Sequence, residues 1–194
     1  IMVILLLIIS VIFIFQYCPD INHGFSGSCF FLGAGFMLVE TKGITELALV
    51  YGSNWLVIGI VILFIIIMAF LANLLVIKKI TPPVPVTYSL LFISLIAGLT
   101  IHSLNLITSV PWLNTILVTV ILTIPLFFSG FAFSFELKKS SSVPVSLSSN
   151  LLGAMLGGFL EYNSMYFGFH ALYFLALAMY GLAFICSMRD LKKT

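Results

Sequence analysis

Three ionisable residues stand inside one long apolar segment of this sequence. Glu40, Lys42 and Glu46 lie within residues 30–51, a stretch long enough to cross a bilayer as a helix. At the centre of a membrane helix each of them costs about 2.5 to 3.5 kcal/mol on insertion scales, so such residues usually face a protein interior, a watery cavity or each other. Lys42 and Glu46 are four residues apart and share one helical face, whereas Glu40 points elsewhere.

Three interpretations of these charges are open. In the first, Lys42 and Glu46 form an internal ion pair whose only task is to hold adjacent helices together. In the second, Glu40 or Glu46 lies on a pathway for a substrate or a proton. In the third, the span is shifted along the sequence, so that the charges lie at the membrane interface.

A second polar pattern lies in a later apolar segment. Asn150, Gly153, Gly157 and Glu161 follow one another at spacings of three, four and four, which aligns them on one helical face. The two glycines form a GxxxG motif, which is typical of a face where membrane helices pack closely. Glu161 ends this pattern near the same membrane boundary as Glu46, so the sequence raises the hypothesis of an outward-facing polar vestibule.

His102 ends another apolar segment on the same side as Glu161. A residue at a helix end can also simply be hydrated, which is the plainer interpretation of this histidine. Under the vestibule hypothesis the candidate solute-binding residues are Glu40, Lys42, Glu46, Asn150, Glu161 and His102.

Other kinds of chemistry have little in the sequence to favour them. The three cysteines form no close Cys/His spacing of the kind that binds metals, and no nucleophile or cofactor motif accompanies the carboxylates. We therefore expect no metal, no cofactor, no enzymatic activity and no nucleic-acid partner.

The composition indicates which kind of structure carries these residues. Hydrophobic residues make up 62% of the 194 and charged residues 7%, with a mean hydropathy of +1.27. The core of a water-soluble protein of this size could not bury so many apolar residues. The apolar runs are continuous rather than alternating, so we predict an all-α, polytopic transmembrane helical bundle. About seven spans are predicted, at residues 1–17, 30–51, 54–77, 86–102, 113–135, 145–163 and 169–188.

The basic residues predict how this bundle is oriented. If the spans alternate in direction, seven of the eight basic residues fall on one side, namely Lys78, Lys79, Lys138, Lys139, Arg189, Lys192 and Lys193. Basic loops are retained in the cytoplasm, so that side and the C-terminus are expected to be cytoplasmic. We expect the second and sixth spans to lie inside the bundle and to supply its buried carboxylates.

Two segments resemble the membrane-spanning part of bacterial spermidine-synthase-like fusion proteins. They are FLGAGFMLVETKGITELALVYGSNWLV at residues 31–57 and SSNLLGAMLGGFLEYNSMYFGFHALYFLALAMYGLA at residues 148–183. In that family, spans described as major-facilitator-like are joined to a soluble Rossmann-type domain similar to aminopropyltransferases. The resemblance implies that any aminopropyltransferase-like activity resides in a soluble domain absent from these residues. It also adds Thr41 to the candidate functional positions.

Together these features predict one transmembrane domain over residues 1–194, belonging to a longer protein of the bacterial inner membrane. We expect a transporter-like module that binds a small polar or cationic solute at its buried carboxylates. The alternative is a structural or accessory subunit of a larger membrane complex. Its partners would be the lipid bilayer and other transmembrane helices or subunits, which would bind through Gly33, Gly153 and Gly157.

Overall fold

The computed structural model describes Ile12 and residues 25–52, 54–80, 82–101, 111–162, 164–168 and 170–191. The helices among these residues are α1 (Gly27–Tyr51), α2 (Trp55–Ile77), α3 (Val84–Ile101), α4 (Pro111–Lys139), α5 (Val143–Glu161), the short α6 (Ser164–Phe167) and α7 (His170–Leu191). Six predicted spans, from residue 30 onward, each coincide with one long helix to within about one turn. The predicted span at residues 1–17 lies outside the described residues, apart from Ile12.

Four of these helices are long and apolar enough to cross a membrane, over Ile58–Ile77, Ile116–Lys139, Val143–Glu161 and His170–Leu191. Large apolar side chains lie on their outer surfaces; Ile66 and Phe70 of α2, for example, are 60% and 62% exposed. Both observations indicate a membrane location. Four such helices do not by themselves support the count of about seven spans, because α1 carries three ionisable residues and the apolar part of α3, Val84–Thr100, is shorter.

Helix α1 lies at the centre of the described bundle. It contacts α2, α4, α5 and α7, and side chains along its length, such as those of Leu32, Leu38 and Leu47, are almost completely buried. Since protein rather than lipid surrounds most of α1, this helix can carry charged residues at membrane depth. The expectation that the second predicted span lies inside the bundle is thus confirmed. The same expectation for the sixth span is wrong for one of its faces, since α5 is buried where it meets α1 but Leu151 on the opposite face is 62% exposed.

Helices α1 and α5 pack side by side and run in the same direction. Contacts advance together along both helices, from Cys29 with Asn150 to Thr41 with Glu161. The backbones approach so closely that a Cβ atom added to Gly153 would lie 1.7 Å from the carbonyl oxygen of Phe30. A side chain is therefore excluded at this position, which is the packing role predicted for the GxxxG motif.

Gly33 and Gly157 extend the same contact between α1 and α5. An added Cβ would lie 2.1 Å from the Asn150 carbonyl oxygen at Gly33 and 2.5 Å from the Ala34 carbonyl oxygen at Gly157. The helices that meet at these glycines therefore belong to the chain itself. Binding of a separate subunit through the same glycines stays a prediction.

Helices α1 and α7 are antiparallel and keep one register over two thirds of their length. Three pairs of residues lie at successive levels, seven residues apart on each helix: Ser28 and Ser187, Gly35 and Tyr180, and Lys42 and Tyr173. A seven-residue repeat equals two helical turns and keeps the same faces of two helices together. This register places one polar level near each end of α1, with the Tyr180 ring packed on Gly35 between them. The level of Lys42 and Tyr173 is called the outer polar level, and the level of Ser28 and Ser187, at the lysine-bearing end, is called the inner polar level.

Candidate functional site

The outer polar level consists of a closed ion pair. The ammonium nitrogen of Lys42 lies 3.0 Å from Oε2 of Glu46, and the two side chains are 6% and 9% exposed. Lys42 also lies 5.4 Å from the centre of the Tyr173 ring, in the geometry of a cation–π contact. Within this low-dielectric setting the two charges neutralise each other, and the tyrosine attaches the pair to α7. The ion pair itself lies within α1, and the contact of Lys42 with Tyr173 joins it to α7, which agrees with the first interpretation.

The other two predicted carboxylates lie on the side of α1 that faces α5. The hydroxyl of Thr41 donates a hydrogen bond of 3.2 Å to Oε2 of Glu161, which is partly buried. Glu40 precedes Thr41 and is also partly buried, at the edge of the face that carries Gly33. Neither Glu40 nor Glu161 forms an ion pair with any described residue. Two carboxylates without a basic partner therefore lie close to one helix–helix contact.

Asn150 lies far from this pair of carboxylates. Its side-chain nitrogen donates a hydrogen bond of 3.1 Å to the carbonyl oxygen of Cys29, near the start of α1. Asn150 precedes Glu161 by eleven residues on α5, which is about 16 Å along a helix axis. The structure thus brings Thr41 and Glu161 together, pairs Lys42 with Glu46, and leaves Asn150 out of both groups. His102 lies outside the described residues.

The inner polar level contains Glu136, a buried carboxylate that the sequence interpretation missed. Glu136 lies near the end of α4 and is 8% exposed. Its Oε2 accepts a hydrogen bond of 3.2 Å from the hydroxyl of Ser28, and its Oε1 accepts one from the hydroxyl of Ser187. One carboxylate therefore joins α1, α4 and α7. The sequence does contain one sign of this site, because serines recur at the lysine-bearing ends of several spans. Serines near the membrane interface are also normally hydrated, so this pattern alone does not indicate a buried carboxylate.

Further serines extend this inner level toward the surface. The backbone N–H of Ser26 donates to the hydroxyl of Ser149 at 3.2 Å, and the hydroxyl of Ser146 donates to that of Ser140 at 2.7 Å. Beside them lies an open cavity of about 250 Å³, lined among others by Glu136, Lys139 and Asp190. The lysine-bearing end of the bundle thus has a polar mouth, and Glu136 forms its inner wall.

The described carboxylates do not gather into a metal-binding cluster. In the part of the chain that the structure describes, no three His, Cys, Asp or Glu side chains lie together in a way that could hold a metal ion. Comparison with known proteins gives no match, since no protein-family model, curated protein or solved structure matches this chain. The fold and the site define the class of this protein as an all-helical membrane bundle with charged groups on its central helix. The resemblance to spermidine-synthase-like fusion proteins stays a prediction.

Proposed function

We propose that this chain is a multi-pass membrane module, transporter-like in architecture, that binds a small polar or cationic solute at the level of Glu46 and Glu161. The observation that carries the proposal is that Glu40 and Glu161 have no ion-pair partner among the described residues. A partly buried carboxylate at membrane depth is costly unless a cation accompanies it, and the Thr41 hydroxyl gives Glu161 one hydrogen bond but no positive charge. Because Lys42 is already paired with Glu46, it does not supply that cation, and a bound solute would.

The wider setting of the module is part of the same proposal. It comprises about seven spans in a bacterial inner membrane, with the C-terminus in the cytoplasm, and is similar to the membrane-spanning part of the fusion family. Support comes from the basic residues at the ends of three helices. Lys78 follows α2, Lys139 ends α4 and Arg189 lies in the last turn of α7. All three lie at the end of the bundle where Ser28 and Ser187 meet Glu136. Clustering of basic residues at one end is the pattern of a cytoplasmic face.

Uptake into proteoliposomes tests the solute site. Radiolabelled putrescine and spermidine serve as cationic probes and glycerol as the neutral probe, and Glu40→Gln and Glu161→Gln are compared with the parent protein. We expect each substitution to reduce uptake or binding of a cationic probe at least tenfold without lowering thermal stability. Asp190→Asn is the matched control, because it removes the same charge at the opposite end of the bundle. Unchanged behaviour in both glutamate variants, or no uptake of any probe by the parent protein, would contradict the proposal.

A structural or accessory subunit is the second candidate function. The observation that favours it is that the Lys42–Glu46 pair and the Gly153 contact both serve helix packing inside the chain. In this case the carboxylates of Glu40 and Glu161 would bind donors on a partner helix. Affinity purification from native membranes distinguishes the two functions. Loss of co-purifying membrane proteins from Glu161→Gln, with no effect on solute binding, would favour the accessory role.

A further inference from the structure

Asn73 is the one polar side chain in α2. Every other residue of this helix, Trp55–Ile77, is apolar, and yet Asn73 lies on the exposed side of the bundle rather than in its core. A primary amide at the edge of the hydrocarbon layer is unfavourable unless its donors and acceptor are satisfied. Its position in the most apolar helix of the bundle therefore requires a physical reason.

The neighbouring helix satisfies only part of this amide. The hydroxyl of Ser134 on α4 donates a hydrogen bond to Oδ1 of Asn73 and also lies 2.8 Å from the carbonyl oxygen of Gly130. Among the described residues, no acceptor is found for the two N–H bonds of the Asn73 amide. The amide therefore offers two donors, which suit a ligand that brings acceptor oxygens.

A cavity of about 320 Å³ lies beside Asn73, between α1, α2, α4 and α5. Its walls are mainly apolar and include Leu32, Phe36 and Phe133, while Ser129 and Ser134 add hydroxyl groups on one side. Ligand pockets have volumes of about 300 to 1,000 Å³, so this one takes part of a large amphipathic molecule rather than the whole of it. An apolar chain with an oxygen-rich end fits such walls.

The depth of the cavity matches the boundary between the lipid chains and the polar headgroups. Asn73 precedes Lys78 by five residues and Ser134 precedes Lys139 by five residues, which is about 7.5 Å along each helix axis. The polar layer on each side of a bilayer is roughly 5 to 8 Å thick, the difference between its full thickness and its hydrocarbon core. When the lysines reach the phosphates, Asn73 and Ser134 therefore lie at the level of the ester carbonyls.

We propose that this cavity binds an anionic phospholipid from the leaflet on the lysine-bearing side. The Asn73 amide donates to an ester carbonyl oxygen, the upper part of one acyl chain lies between Phe36 and Phe133, and the exposed Lys78 and Lys138 attract the phosphate. Basic residues beside a pocket between membrane helices are a known basis for recognition of anionic headgroups. The bilayer lipid, and not a free phosphate compound, is the ligand that supplies both the acyl chain and the charge.

Retention of lipid by the purified full chain tests the proposal. The protein is exchanged from vesicles of phosphatidylcholine and phosphatidylglycerol at a ratio of four to one into mild detergent, and bound lipid is measured by native mass spectrometry. We expect the parent protein to retain phosphatidylglycerol in preference to phosphatidylcholine, and Asn73→Leu to reduce that retention at least fivefold. Ser89→Leu is the matched control, since Ser89 is also exposed, lies on α3 and does not line the cavity. Equal retention by the parent protein and Asn73→Leu would overturn the proposal.

A second measurement does not depend on any variant. Phosphatidylglycerol with a photoreactive group near the top of one acyl chain is expected to cross-link to residues that line the cavity, such as Phe36 or Phe133. Glycerol 3-phosphate at millimolar concentration should not compete with it. Cross-links spread evenly over α2 and α3, competition by glycerol 3-phosphate, or occupation of the cavity by another protein in native membranes would each overturn the proposal.

Discussion

Gly35 of α1 packs directly against the ring of Tyr180 of α7, midway between the two polar levels of the bundle. A Cβ atom at Gly35 would lie 2.8 Å from Cε1 and Cζ of that ring. The ring is completely buried. This contact lies in the same register as the level of Ser28 and Ser187 and the contact of Lys42 with Tyr173.

The first prediction concerns this contact. Gly35→Ala should lower the free energy of unfolding by about 2 kcal/mol, since overpacking a well-packed core typically costs 1 to 3 kcal/mol. Gly43→Ala is the control on the same helix, because nothing lies within 4 Å of a Cβ atom at Gly43. Its higher helix propensity should leave stability unchanged or raise it by up to about 1 kcal/mol. Unfolding by SDS in mixed micelles, followed by circular dichroism, measures the stability of both variants. Equal stability of Gly35→Ala and Gly43→Ala would show that Gly35 does not pack against Tyr180.

The second prediction concerns the parallel contact between α1 and α5. Gly153→Ala should lower the free energy of unfolding by about 3 kcal/mol, because the added methyl group meets backbone atoms of Phe30 and the helices have to separate. Gly158→Ala lies on the same helix, where a Cβ atom meets nothing within 4 Å, and should be harmless. A thermal melting experiment in detergent compares the pair. A Gly153→Ala protein as stable as Gly158→Ala would show that the helices do not meet here.

The third prediction concerns the buried ion pair. Glu46→Gln leaves the charge of Lys42 buried without its partner, and breaking a buried pair in this way costs about 3 to 5 kcal/mol. Replacing both residues, in Lys42→Met with Glu46→Leu, should recover most of this loss, because no unpaired charge remains. A double-mutant cycle built from Lys42→Met, Glu46→Leu and the double variant measures the coupling on unfolding free energies. Additive effects of the two single substitutions would mean that the pair does not form.

The fourth prediction concerns the inner carboxylate. Ser187→Ala removes one hydrogen bond to Glu136 and should lower the free energy of unfolding by about 2 kcal/mol, within the range for bonds to charged groups. Ser28→Ala should have a similar effect, and the two should not be additive, since both serines act on one carboxylate. Ser89→Ala on the exposed side of α3 provides the baseline for a serine that touches no carboxylate. If Ser187→Ala, Ser28→Ala and Ser89→Ala had the same free energy of unfolding, Glu136 would have no structural role.

The positions of the helices could be predicted from the sequence because the signal is local. Long apolar runs bounded by Pro, Gly and polar residues define helices whatever surrounds them, and the all-helical architecture is confirmed. The pair formed by Lys42 and Glu46 was also predictable, since four residues on a helix bring two side chains together. The antiparallel register with α7 was not, because it depends on residues more than 130 positions apart.

Glu136 shows why part of the site could not be predicted. In the sequence it stands beside Lys138 and Lys139 at the end of a span, where a carboxylate is normally hydrated. Its burial arises from the packing of α1, α3 and α7 around the end of α4, which no local pattern records. Asn150 and Glu161 share one helical face, as the spacing predicts, but they lie about 16 Å apart along the axis of α5 and contact different ends of α1.

The central place of α1 has a consequence for biosynthesis. Tyr173, which covers Lys42, follows it by 131 residues, so at ribosomal speeds the cover is completed on the order of ten seconds later. During that interval Lys42 and Glu46 can already pair within α1, but the helix lacks its cover from α7, and each charge facing lipid costs about 2.5 to 3.5 kcal/mol. Nascent chains that stop before α7 are expected to be retained by the insertion machinery or degraded, while complete chains leave as a closed bundle.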